Sequence, residues 1–189
     1  MVKPTPSVSR RIRHLTATVL AAAVLAACSS GSGAKSTATN ATVTLNEGIK
    51  AQIAGDTKTA TSKFQEVISV DPNNKIAYYD LGLIQQNQGN VVAAEANYRH
   101  SIALDAAYAP ALYNLGIIRS NAGSQAEAVA LYTRATVADP KSSTAFLNLG
   151  LLLYTMGNPV DGKAALTTAV KLDPTLASRI PASENPTKA

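Results

Sequence analysis

The chain has 189 residues, 46% of them hydrophobic, with no Trp, two His, one Cys and a net charge of +5; a single cysteine excludes an intramolecular disulfide and a cysteine-based metal cluster. Of its 17 Lys and Arg, four (Lys3, Arg10, Arg11, Arg13) precede residue 28 with no acidic residue beside them, leaving 13 basic against 12 acidic side chains, or +1, in the rest. A basic nucleic-acid surface is therefore not supported.

After those four basic residues comes an uncharged apolar run, 15–27, that ends in small residues. This order reads as an export signal over 1–27, too short to serve as a stable transmembrane helix. Leu25-Ala26-Ala27-Cys28 resembles the lipobox of bacterial lipoproteins. That resemblance implies cleavage before Cys28 and acylation of its thiol. Ser9-Arg10-Arg11 hints at a twin-arginine signal, but Arg13 stands where that motif wants an apolar residue, so general export is expected. Ser29 lacks the aspartate associated with inner-membrane retention. The expected location is the cell envelope: the outer membrane facing the periplasm in a two-membrane bacterium, or the outer face of the cytoplasmic membrane in a single-membrane one.

Residues 28–40 comprise Cys28 and a small, polar stretch, SSGSGAKSTATN, with no large apolar side chain. It reads as a flexible linker holding the following domain roughly 20 Å from the bilayer surface.

The remaining chain is periodic. The landmarks Leu81-Gly82, Gly89, Ala94, Tyr98 and Asp105 return 34 residues later as Leu115-Gly116, Gly123, Ala128, Tyr132 and Asp139. They return again as Leu149-Gly150, Gly157, Gly162, Leu166 and Asp173, and stand one unit earlier as Glu47-Gly48, Gly55, Ala60, Phe64 and Asp71. Four units follow without insertion: 41–74, 75–108, 109–142 and 143–176, with a tail over 177–189. A fixed period of this size marks a solenoid. Within each unit the apolar spacing is helical on both sides of the second glycine, so each unit is a pair of helices. Asp56, Asn90, Ser124 and Asn158 follow that glycine as N-caps of the second helix, and the glycine itself closes the first helix in a left-handed conformation.

These landmarks resemble the tetratricopeptide repeat (TPR) family. The resemblance implies an all-α, right-handed α-solenoid of four helix-turn-helix repeats, eight helices in all. It implies that Gly48, Gly82, Gly116 and Gly150 face the small residues Ala60, Ala94, Ala128 and Gly162, with Phe64, Tyr98, Tyr132 and Leu166 filling the space between them and the next repeat. Thr44 and Glu47 depart from the family pattern and suggest a polar outer face for the first repeat. Ala106 replaces a usual proline, so the turn after Leu104 is expected to be less rigid. At the other end, Leu176 and Ile180 either fold back over the last pair or leave it open to a partner or to self-association through the C-terminal repeat.

Catalytic chemistry is sparse. His100 has no partner arrangement for a base or metal ligand, and no phosphate-binding glycine motif is present. No catalytic residue, metal or cofactor is expected, and the chain is read as a binding protein rather than an enzyme.

The family resemblance implies a concave groove lined by the first helices, into which the residue before each Leu-Gly landmark projects: Asn46, Asp80, Asn114 and Asn148. Asparagine both donates and accepts, so a ladder of them suits the main chain of an extended peptide, although the same position also serves helix packing in the family. Beside it run Tyr79 and Tyr113, then Ile49, Leu83, Ile117 and Leu151; further along lie Gln52, Gln86, Asn87, Ser120, Asn121 and Tyr154. Tyrosine is an effective interface residue, with a broad ring and a polar end.

Some family members clamp acidic C-termini with groove cations. Leu45, Ile49, Asp80, Pro110 and Asn114 occupy equivalent places here, so extended neutral or mildly basic segments are expected instead, bound weakly. Two functions follow: a membrane-anchored adaptor that binds peptide segments of a protein partner in the groove, or a pilotin-like or outer-membrane assembly factor that works through its end repeats.

Overall fold

A computed structural model describes residues 33–188, with side chains from 40 to 187; the export signal and Cys28 lie outside the described residues. The described chain forms eight α-helices, two short 3-10 segments at its end and no strand. The helices are α1 (Gly33–Ile53), α2 (Thr57–Val70), α3 (Lys75–Asn87), α4 (Val91–Leu104), α5 (Ala109–Asn121), α6 (Gln125–Ala138), α7 (Ser143–Thr155) and α8 (Pro159–Leu172). Each odd-numbered helix packs against the even one that follows it, and α2, α4 and α6 pack against the first helix of the next pair.

α1 departs from the sequence expectation. It begins at Gly33 rather than at 41, so residues 33–40 of the stretch read as a flexible linker are helical. Propagation explains this: once the packed part of α1 is formed, each further residue adds a hydrogen bond without a new nucleus.

The turns inside the pairs follow the expected chemistry with one correction. Gly55, Gly89, Gly123 and Gly157 have φ of 76 to 79°, where a side chain would be strained. Asp56 accepts from Thr59 N at 3.0 Å and Asn158 from Asp161 N at 3.3 Å. Asn90 and Ser124 sit at the N-cap positions but make no capping bond. Ser124 Oγ accepts instead from Arg119 Nη2 at 2.8 Å.

The core also corrects one expectation. The space left by Gly82 and Gly116 is filled by the ring of the same repeat: an added Cβ would lie 2.6 Å from Tyr98 Cε1 and 2.6 Å from Tyr132 Cε1. In the fourth repeat Leu166 takes the place of the ring, 2.7 Å from an added Cβ on Gly150; there Gly150 and Gly162 also face each other, with Tyr154 of α7 packed over Gly162.

The two ends differ. Thr44, expected on a polar outer face, is buried, while Glu47 is exposed and pairs with Lys63 at 2.8 Å. The tail folds back: Leu176 and Ile180 are buried with Leu147, Leu166 and Ala169. Asn185 Nδ2 donates to the Ala177 carbonyl at 2.8 Å and fastens it. The apolar face from which self-association was expected is therefore occupied by the chain's own tail. The turn at Ala106 is braced as well, because Arg134 Nη2 donates to the Ala106 carbonyl at 2.9 Å.

Candidate functional site

The 34-residue register of α3, α5 and α7 sets two rows side by side, Tyr79 and Tyr113 in one, Asp80, Asn114 and Asn148 in the other. Between the rows run bonds that periodicity alone did not reveal. Asn114 Nδ2 donates to Tyr79 Oη at 3.2 Å, and Asn148 Nδ2 donates to Tyr113 Oη at 3.2 Å. Each bond crosses a repeat boundary, so the asparagines tie first helices together. Asn114 still has its amide carbonyl and second amide proton to offer a ligand, and Asn148 its carbonyl, because the Asn148 amide also reaches the Tyr132 hydroxyl.

The tyrosines are held from behind. Tyr79 meets Tyr98 at 5.8 Å between centroids and Tyr108 edge-on at 5.5 Å; Tyr113 lies 6.0 Å from Tyr132. Burial raises the Tyr79 hydroxyl, helped by the Asp80 charge, and burial pushes Tyr108 and Tyr132 up to about 12. These phenols stay neutral and act only as hydrogen-bonding groups.

Two open cavities flank the rungs. One, of about 580 Å³, brings together Tyr113, Ile117, Asn121, Asn148 and Leu151. The other, of about 330 Å³, brings together Tyr79, Leu83, Tyr113 and Asn114. Tyr113 borders both, which makes one polar and aliphatic surface across three repeats. Four expected groove residues stand apart. Asn46 and Asn87 are exposed and line neither cavity, and Gln86 accepts from the buried Tyr98 hydroxyl at 2.8 Å. Asp80 is buried, with 8% of its surface exposed, and that burial raises its carboxyl to about 6.

Three features were missed from sequence. Arg179, carried by the folded tail, lines the larger cavity and brings it a cation that none of the α-helices supplies there. Lys75 pairs with Asp105 and lies 5.2 Å from the centre of the Tyr108 ring. On the second helices Arg99 bridges Glu95 at 2.8 Å and Glu127 at 2.7 Å, while Arg119 from the first helix α5 reaches Glu127 at 2.7 Å and Glu95 at 3.4 Å. Glutamate and arginine at 95, 99, 119 and 127 were visible in the sequence, but their meeting depends on the stacking of repeats. His100 is exposed and stacks on Tyr78, 4.0 Å between ring centres.

Family models described as tetratricopeptide repeat match residues 63–96 and 85–143. Over those residues the helix pairs match the tetratricopeptide repeat, and the described helices together have the fold of a TPR-like solenoid. Among solved structures, the MamA protein shares 24% identity over 73% of this chain and 75% of its own, with a TM-score of 0.63. Pseudomonas aeruginosa pilF shares 23% over 76% of this chain and 65% of its own, with a TM-score of 0.66. A tetratricopeptide repeat protein from Parabacteroides merdae shares 17% over 72% of this chain and 54% of its own, with a TM-score of 0.62. At these identities the likeness establishes the fold. No curated protein matches the chain by sequence. TPR arrays are protein-interaction modules that use an extended concave surface.

Proposed function

We propose that the chain is an exported lipoprotein, anchored at the cell envelope through acylated Cys28, whose TPR groove binds extended peptide segments of a protein partner. It acts as an adaptor and carries no catalysis of its own. The observation that carries this reading is the pair of rungs, Tyr79 with Asn114 and Tyr113 with Asn148, set between two open cavities. They present amides and phenols at a repeat spacing, which suits the main chain of an extended segment. The aliphatic side chains Leu83, Ile117 and Leu151 beside them suit its apolar side chains.

The assembly-factor reading draws on the end repeats. At the C-terminal end Leu176 and Ile180 already cover the last pair, which favours the groove. Capture from envelope extract on the full chain, beside an Asn114→Ala, Asn148→Ala variant of equal helicity, separates the two. Partners lost by the variant support the adaptor; a partner held equally by both moves the interaction off the groove. Cys28→Ala should release the chain from the membrane fraction, and continued membrane association would remove the lipid anchor from the account.

A further inference from the structure

Asp80 occupies the position of Asn114 and Asn148 but lacks their partner. The residue 35 places before each asparagine is a tyrosine; before Asp80 it is Leu45, which has no polar side-chain atom. Among the described residues the Asp80 carboxylate has neither a hydrogen bond nor an ion pair, and the side chains that feel its charge are three phenols, Tyr79, Tyr98 and Tyr108. No cation is among the causes of the Asp80 shift, and Lys63, Lys75, Arg99 and Arg119 are paired with Glu47, Asp105, Glu95 and Glu127. The residue is more than nine-tenths buried. No fully buried side-chain oxygen in the described chain lacks a partner, so the unpaired Asp80 oxygens must be the part that still reaches the surface. By register Asp80 stands in the row of Asn114 and Asn148, and its charge is felt by Tyr79, which borders the smaller cavity.

We propose that Asp80 is the docking point for a lysine or arginine side chain of an extended partner segment lying in the groove. This rests on the peptide-binding reading above and names the charge its ligand carries. A carboxylate withdrawn from water without a partner is unfavourable, and an incoming cation offsets that loss with a charge-assisted hydrogen bond. The surrounding tyrosine rings add to the attraction, since their faces favour a cation. Register then fixes a spacing. Neighbouring packed helices lie about 10 Å apart, or about three residues of extended chain. The ligand therefore carries its basic residue about three positions from the segment held at Asn114 and about six from that held at Asn148.

The test uses the full chain in detergent and two fluorescent peptides of Ser, Asn and Ala residues that differ only in one central residue, lysine or norleucine. The lysine peptide is expected to bind about tenfold more tightly. Asp80→Asn installs the residue that the next two repeats already use, so the fold should tolerate it. This variant should abolish the lysine advantage, so that the two peptides bind it equally. Equal binding of the two peptides to the wild type, or a lysine advantage that survives Asp80→Asn, would overturn the assignment while leaving the groove reading intact. If neither peptide binds, the groove reading falls and this inference with it.

Discussion

The side-chain amide of Asn114 donates to the hydroxyl of Tyr79, 35 residues earlier and one repeat away, at 3.2 Å. Asn148 and Tyr113 repeat the relationship at the same distance. The same two side chains thus hold neighbouring repeats in register and present the groove. Tyr79→Phe removes the acceptor and keeps the ring, so it should cost about 1 kcal/mol in denaturant unfolding. Tyr78→Phe, where the ring stacks on exposed His100, should stay within about 0.5 kcal/mol of wild type.

Gly82→Ala would place a methyl 2.6 Å from the buried Tyr98 ring. The gain in helix propensity, about 1 kcal/mol, is smaller than the overpacking cost of about 1–3 kcal/mol. A net loss of stability and a change in the near-ultraviolet tyrosine signal are expected. A stabilised variant would show that Tyr98 can move aside.

Asp80 makes stability depend on pH with a definite sign. Its folded pKa, about 6, lies above the ordinary 3.8. Between those values the native state holds the proton more tightly than the unfolded chain. Its contribution is therefore fully present below about pH 4, fades as pH rises through 6, and is absent above. Asp80→Asn should gain on the wild type over that window by on the order of 3 kcal/mol. Asp105 and Glu127 are shifted down by Lys75 and by Arg99 and push the total the other way, so the difference between wild type and variant is the quantity to follow. A difference that does not change with pH would contradict the burial of this carboxylate.

The period carried most of the fold, because each landmark has a local cause: a glycine with positive φ, a cap position, an apolar face. Tyr79, Leu83, Tyr113, Asn114, Ile117, Asn121, Asn148 and Leu151 were legible as one face for the same reason, and they line the two cavities. What escaped depends on contacts between repeats or on the tail. Asn114 meets Tyr79 only after two helices have stacked, and Arg179 enters the groove only because Leu176 and Ile180 anchor the tail beneath it. Gln86 looked like a groove residue and is instead engaged by the Tyr98 hydroxyl.

The network of Glu95, Arg99, Arg119 and Glu127 joins α4, α5 and α6. Exposed pairs contribute about 0.2–1 kcal/mol each, more when linked. An Arg99→Gln, Glu127→Gln double-mutant cycle should give a favourable coupling at low salt that shrinks at high salt. A coupling indifferent to salt would mean that packing, not charge, joins these residues.

Leu176 and Ile180 cap the last pair. Leu176→Ala should cost about 2–5 kcal/mol, and the exposed face should promote association on sedimentation. Unchanged stability would show that the tail does not protect the core.

The most direct test of the groove is site-specific photo-crosslinking in cells, with the reactive side chain at Asn121, exposed beside the larger cavity, or at Val137, 75% exposed on α6. Adducts from 121 that vanish when Asn114 and Asn148 are both alanine, with none from 137, are the predicted result. Adducts from 137 alone would contradict binding in the groove.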